Sequence, residues 1–227
     1  MTIDPFRDQL SQRWDRETDP SLLVYDRLMR WKGQPRFRYG ARPKQGAEGI
    51  NQAISSNFTI CVYQQNPLFN VFCTVGASYS VIPKSKQTSG DPRGIRHEYL
   101  IHAPADYDKI ACEMLLMIAE FPHVNNIEIG PGFVIPIGES IVPGSRLEYL
   151  YLTYPFLDDA HIYDTNPAGE IDHPQAYIQT LWVLPLTKGE RQYLQQHGVE
   201  KFEEFLHSKH AERYDADFGR ASLVDKR

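Results

Sequence analysis

The sequence predicts an α+β fold, a mixed α/β sandwich with helices packed on a mostly antiparallel sheet. Three observations predict it. Tyr177 to Leu206 reads YIQTLWVLPLTKGERQYLQQHGVEKFEEFL, a buried strand followed by two helices. Phe58 to Tyr63 and Asn70 to Val75 are β-rich runs around the turn Gln64-Gln65-Asn66-Pro67, a hairpin pattern. Tyr107, Ile110, Ala111, Met114, Ile118 and Phe121 keep helical spacing between single strands.

The elements follow in chain order. Asp4-Pro5 suits the N-cap and first position of a helix whose apolar face is Phe6, Leu10 and Trp14. Asp19-Pro20 repeats the signal for a second helix to about Trp31, with Leu22, Leu28 and Met29 as burial candidates. Together they predict an N-terminal helical arm over 1–35, ahead of one domain over 36–227. Residues 32–56 are basic and rich in Gly, Pro and Gln, with a short strand at Phe37 to Tyr39. Gly76 to Ser80 is a small-residue exit, 83–94 a polar loop, and Arg96 to His102 a strand. Pro104 and Asp106 introduce the long helix, and Pro122 is expected to stop it. A strand over Ile127 to Pro136, broken by Gly130-Pro131-Gly132, and another over Arg146 to Tyr154 precede a long loop at 155–174.

The final unit is the most clearly punctuated. Ile178 to Leu184 leaves neither face polar, which predicts a buried strand with neighbours on both sides. Pro185 lacks an N–H and is expected to end the ladder. Thr187 and Glu190 have the spacing of a capping box. Gly198 is expected to supply an αL stop, and Val199, Phe202, Phe205 and Leu206 form the stripe of a second helix.

The 227 residues are enough for one large domain or two small ones. A net charge of −5 does not favour nucleic acid, which binds basic surface. No apolar run approaches the roughly 20 residues of a membrane span, so no membrane partner is expected. Cys61, Cys73 and Cys112 form no CxxC pair. An odd count without a disulfide framework favours a reducing compartment, here the cytoplasm. The sequence sets no oligomeric state.

Several segments together carry a family resemblance. They are TVGAS (Thr74 to Ser78), RHEYLIHAP (Arg96 to Pro104), MIAEF (Met117 to Phe121), GSRLEYLYLTYP (Gly144 to Pro155) and the run from Thr180 to Leu206. Their order resembles the suppressor of fused domain in its shorter bacterial form, over about residues 58–206. The resemblance implies a mixed α/β sandwich that binds protein rather than performing chemistry. Animal members hold a transcription-factor peptide by adding it as a strand, a mode that needs an open sheet edge. Bacterial members imply an immunity role, neutralising polymorphic toxins. The animal groove uses a Tyr at the end of the long helix and an Asp before the next strand. Phe121 and Asn126 stand at the matching places here, so a peptide of the animal type is not implied.

The residues themselves offer few sites of reaction. The loop bearing Asp158, Asp159, His161, Asp164, Asp172 and His173 gathers possible metal ligands, the basis of an alternative reading as a metal-dependent hydrolase. Its spacing matches no ligand pattern, and turns favour Asp. His207 and His210 lack a third ligand nearby. The cysteines suit core packing, and the glycines at 130, 132, 138 and 144 lack the Lys-Ser/Thr of a phosphate loop. No metal or cofactor is therefore expected. Glu98 and Glu113 read as structural or exposed. Tyr149 and Tyr151 suit sheet packing, while Tyr154 and Tyr163 divide between packing and an interface. The expected function is a cytoplasmic, non-enzymatic binder of a protein partner, a toxin in the immunity reading. Phe121, Asn126, Tyr154, Asp158, Asp159, Tyr163 and Asp164 are its candidate contacts. A peptide adaptor acting by strand addition is the other alternative.

Overall fold

The computed structural model describes residues 4–17, 20–40, 58–64, 67–155, 170–208 and 218–224. Its elements are α1 (Pro5–Glu17), α2 (Ser21–Lys32), β1 (Phe37–Gly40), β2 (Thr59–Gln64), β3 (Phe69–Val75), α3 (Ser85–Ser89), β4 (Ile95–Pro104) and α4 (Asp108–Asn125). They continue with β5 (Val134–Pro136), β6 (Leu147–Thr153), β7 (Glu170–His173), β8 (Ala176–Thr187) and α5 (Lys188–Ser208). The strands form one eight-stranded sheet in the order β1-β2-β3-β4-β8-β6-β5, with β7 also on β8. Every pairing is antiparallel except β4 with β8. The α+β class is the observed one.

Strand alternation builds a separate core on each face of the sheet. Ile60, Val62, Tyr99, Ile101, Leu181 and Val183 point to one face, where Ala111, Met114, Leu115 and Ile118 of α4 cover them. Cys61, Tyr63, Leu100, Trp182, Leu184 and Leu186 point to the other. Leu10 of α1, Val24, Tyr25 and Leu28 of α2, and Leu194, Phe202 and Leu206 of α5 cover that face. The N-terminal helices thus lie on the sheet. Asp4 caps α1 through the Phe6 N–H at 3.1 Å and accepts from the Tyr25 hydroxyl of α2 at 2.8 Å. β8 is buried on both faces and flanked by β4 and β6, which explains its continuous apolar run.

Several expectations are corrected, each for a local reason. Pro185 does not end β8: it sits within the strand, opposite Leu150. Pairing with β4 has already stopped at Trp182, and the Pro185 carbonyl accepts from Arg220 at 2.7 Å. A residue's N–H and C=O leave a strand on the same side, so the missing donor faces Arg220 and not β6. Pro122 does not stop α4 either; one more turn follows. That turn is closed by Ile127 N–H to Pro122 O at 3.0 Å and Asn126 N–H to His123 O at 3.4 Å, a Schellman arrangement. The amide of Asn125 donates to Phe121 O at 2.9 Å.

The polar loop at 83–94 contains α3, held because Ser85 Oγ donates to Ile82 O at 2.8 Å and accepts from Ile95 N–H at 2.9 Å. Of the expected strand from Ile127 to Pro136 only Val134–Pro136 pairs, and the expected loop at 155–174 includes β7. Gly198 breaks α5 with φ 83° and ψ 170°, a conformation open to glycine rather than an αL stop. Val199 is 46% exposed, not buried, and lies beside Gly132, where any side chain would crowd it.

Candidate functional site

The segments that mark the sequence are internal anchors. Thr74 to Ser78 ends β3, and Gly76 turns the chain with φ 105°. The N–H groups of Gly76 and Ser78 both reach one oxygen of Glu98, each at 3.0 Å. The Ser78 hydroxyl joins them at 2.5 Å, and the Thr74 hydroxyl bonds the other oxygen. Arg96 braces the same turn through Ser78 O at 2.8 Å and Tyr79 O at 2.5 Å. Glu98 is fully buried, and desolvation raises its pKa against the lowering effect of these donors. A carboxyl enclosed on this scale holds chain in place.

The capping box at Thr187 and Glu190 is present and does more than cap. Thr187 N–H donates to Glu190 at 2.8 Å, and Glu190 N–H returns to the Thr187 hydroxyl at 3.3 Å. Arg220 grips the same carboxylate with both terminal nitrogens, at 2.6 and 3.0 Å, and Leu223 N–H adds a bond at 2.8 Å.

A polar group gathers where β4, β7 and β8 begin. His97 Nε2 faces Gln179 Oε1 at 3.3 Å. Gln179 in turn reaches Glu170 at 3.3 Å and the Tyr177 hydroxyl at 3.4 Å. Burial lowers the His97 pKa to about 4, and burial lowers that of His123 as well. Tyr154 belongs here: burial and then Glu170 raise its pKa, against a hydrogen bond with Gln179. Arg93 closes this end, binding Asp91 at 2.6 Å, Asp172 at 2.6 Å and His173 O at 2.7 Å.

The predicted site residues fall in separate places. Phe121 packs edge-on against Phe133, with ring centroids 6.3 Å apart. Asn126 is the αL residue of the α4 terminus, with φ 49° and an exposed side chain. Phe121 thus reaches the residue preceding β5, a strand that among the described residues pairs with β6 alone. There Phe133 O and Ile137 N–H face β6, so Val134 and Pro136 point their main-chain groups outward. Tyr154 follows Thr153 at the end of β6 that lies beside Phe133, where Leu152 N–H donates to Phe133 O at 2.9 Å, and it is turned to Gln179 and Glu170. Asp158, Asp159, Tyr163 and Asp164 lie outside the described residues, as do His161 and His210. Asp172 and His173 are engaged by Arg93, and no group of three or more metal-ligating side chains occurs among the described residues. Tyr151 is fully buried and Tyr149 half-buried. Cys61 and Cys73 are buried, and Cys112 is half-buried.

Sequence reasoning missed a cleft at the β1 end of the sheet. A cavity of about 340 Å³ lies between β1, β2 and α4, lined among others by Tyr39, Phe58, Ile60, Asp108, Cys112 and Leu116. Phe37 and Tyr39 of β1 are exposed there, which their sequence alone does not reveal.

The comparisons with known proteins settle the family. The model of the suppressor of fused protein family matches residues 55–217. The chain belongs to the suppressor of fused family. Among solved structures it is similar to a protein of Neisseria gonorrhoeae FA 1090 described as a SUFU homologue. That match has 19% identity and a TM-score of 0.61, and covers 90% of this chain and 97% of the other. It is similar to the Sufu–Fu complex structure at 12% identity and TM-score 0.59, covering 90% and 89%. Drosophila Suppressor of Fused matches at 13% identity and TM-score 0.62. There the match covers 90% of this chain and 51% of the fly protein, so the suppressor of fused fold seen here spans about half of it. No curated protein matches the chain. No helix among the described residues is long and apolar enough to cross a membrane.

Proposed function

We propose that this chain is a non-enzymatic, cytoplasmic protein-binding module, and that it serves as an immunity-type inhibitor neutralising a bacterial polymorphic toxin. The observation that carries the binding role is the suppressor of fused fold itself. One structure with that fold is of a Sufu–Fu complex, and the likeness spans 90% of this chain. The partner surface would take in Phe121 and Asn126 at the end of α4, and Tyr154 with Asp158, Asp159, Tyr163 and Asp164. Acidic and tyrosine-bearing surface suits a basic protein partner. The test is co-expression with the product of the neighbouring gene, followed by pull-down and a growth assay. A complex and restored growth are expected; toxicity undiminished by co-expression sinks the immunity reading.

A strand-addition adaptor is the second reading, favoured by β5, which among the described residues pairs with β6 alone. Val134 carries the outward N–H of β5, since Pro136 has none. Val134→Pro should therefore abolish partner binding through that edge, and unchanged affinity argues against it.

A further inference from the structure

The two faces of the sheet end differently at β1. On one face α1 and α2 reach the edge, and Arg38 lies over the rings of Phe6 and Tyr25. On the other, α4 covers the middle strands and stops short. Phe37 and Tyr39 remain 45% and 40% exposed there. Among the described residues β1 pairs with β2 alone, and none of them bonds its outer main-chain groups as a further strand.

The cavity opens beside this edge, on the face to which Tyr39 and Ile60 point. Its volume lies near the lower end of the roughly 300–1,000 Å³ of ligand pockets, room for one or two large apolar side chains. Its rim carries a prepared charge. Asp108 accepts from Asn70 Nδ2 at 3.2 Å and from the Tyr39 hydroxyl at 3.3 Å. Those bonds fix the carboxylate, yet among the described residues no cationic group lies within ion-pair distance of it. Lys109 is turned to Glu113, at 3.8 Å. Burial, and behind it the charges of Asp108 and then Glu113, push the Cys112 thiol up to about 12. The cleft is thus apolar within and electronegative at its mouth, a combination that favours a cation anchored by a greasy neighbour.

We propose that β1 and this cleft bind an extended segment of a protein partner, placing an apolar side chain in the cavity and a Lys or Arg against Asp108. Alternate residues of a strand share a face, so the two recognised side chains stand at positions i and i+2. The site rests on the protein-binding reading above and names the chemistry of the partner segment. It lies apart from the surface around β5 and Tyr154.

The test uses the whole chain, labelled with ¹⁵N, and the peptide acetyl-Thr-Leu-Thr-Arg-Thr-amide. Millimolar peptide should shift the amides of Phe37 to Gly40 and of Asp108 to Leu116 saturably. The analogue with Glu in place of Arg should leave them unmoved. Asp108→Asn should weaken the Arg peptide about tenfold without changing the affinity of an analogue bearing Thr there. Cys112→Phe, filling the cavity from α4, should abolish binding while the melting transition persists; if that variant does not fold, Asp108→Asn decides. Amides of β1 and α4 that stay unmoved overturn the proposal, whether the face is empty, taken by another part of the chain or taken by a second copy. Equal binding of the Arg and Glu peptides overturns it too. Neither result involves a toxin, so this site and the immunity role can fail separately.

Discussion

Two buried glutamates hold this molecule together by different chemistry. Glu98 receives only neutral donors, from Thr74, Gly76 and Ser78. Glu190 receives two N–H groups and a bidentate arginine. Neutral donors leave the desolvation of a carboxylate uncompensated, and the Glu98 pKa stays raised. A guanidinium supplies the opposite charge and makes each partner dependent on the other. The difference follows reach. Glu98 pins a turn at the end of the neighbouring strand, whereas Glu190 ties α5 to residues 220–223, outside the span matched by the family model.

Breaking the second anchor should have the larger effect. Glu190→Ala leaves Arg220, with a side chain only 12% exposed, beside no counter-charge. It also strips the Thr187 and Leu223 N–H groups of their acceptor. A loss of roughly 3–5 kcal/mol in urea unfolding is expected, as for a broken buried ion pair. Hydrogen exchange at the Leu223 amide should accelerate in the same variant. A loss below about 1 kcal/mol would show that the pair contributes little beyond the cap.

Glu98→Gln keeps the shape and one acceptor oxygen but presents an amide to the Thr74 hydroxyl. It should cost less, about 1.5–3 kcal/mol, the range for hydrogen bonds to a charged group. If it equals or exceeds the cost of Glu190→Ala, counter-charge is not what separates the two anchors.

What was legible in the sequence was what is local. Thr187 and Glu190 stand three apart, so their reciprocal bonds follow from spacing. The continuous apolar run of β8 and the helical spacing of α4 likewise follow from neighbouring residues. The Arg220 half of the Glu190 anchor lies 30 residues on and carries no local signal. Pro122 and Pro185 defeated local rules for different reasons: α4 runs one turn past Pro122 to a Schellman close, and the side of Pro185 that lacks a donor faces Arg220 rather than β6. Phe121 and Asn126 came from a family resemblance, and the structure places them in the last turn and at the cap of α4. The β1 cleft was not legible, because it depends on where α4 crosses the sheet: Tyr39 and Asp108 meet across 69 residues.

The smallest effect is the most diagnostic of neutral-donor chemistry. In the unfolded chain Glu98 ionises near its ordinary value of 4.5; in the folded chain burial raises that value. Between the two, the folded state holds a proton that the unfolded state has released, so unfolding gains on folding as pH rises. The contribution of Glu98 is therefore full below about pH 4.5 and declines as pH climbs through the raised value. Glu98→Gln has no such proton to lose, and His97 and the other titrating groups remain in both proteins. The stability of the native protein minus that of Glu98→Gln, measured by urea unfolding across pH, should fall with rising pH and then level. A difference that rises instead would mean that the four donors outweigh burial, and that Glu98 is held as an anion no less firmly than a carboxylate with its own arginine.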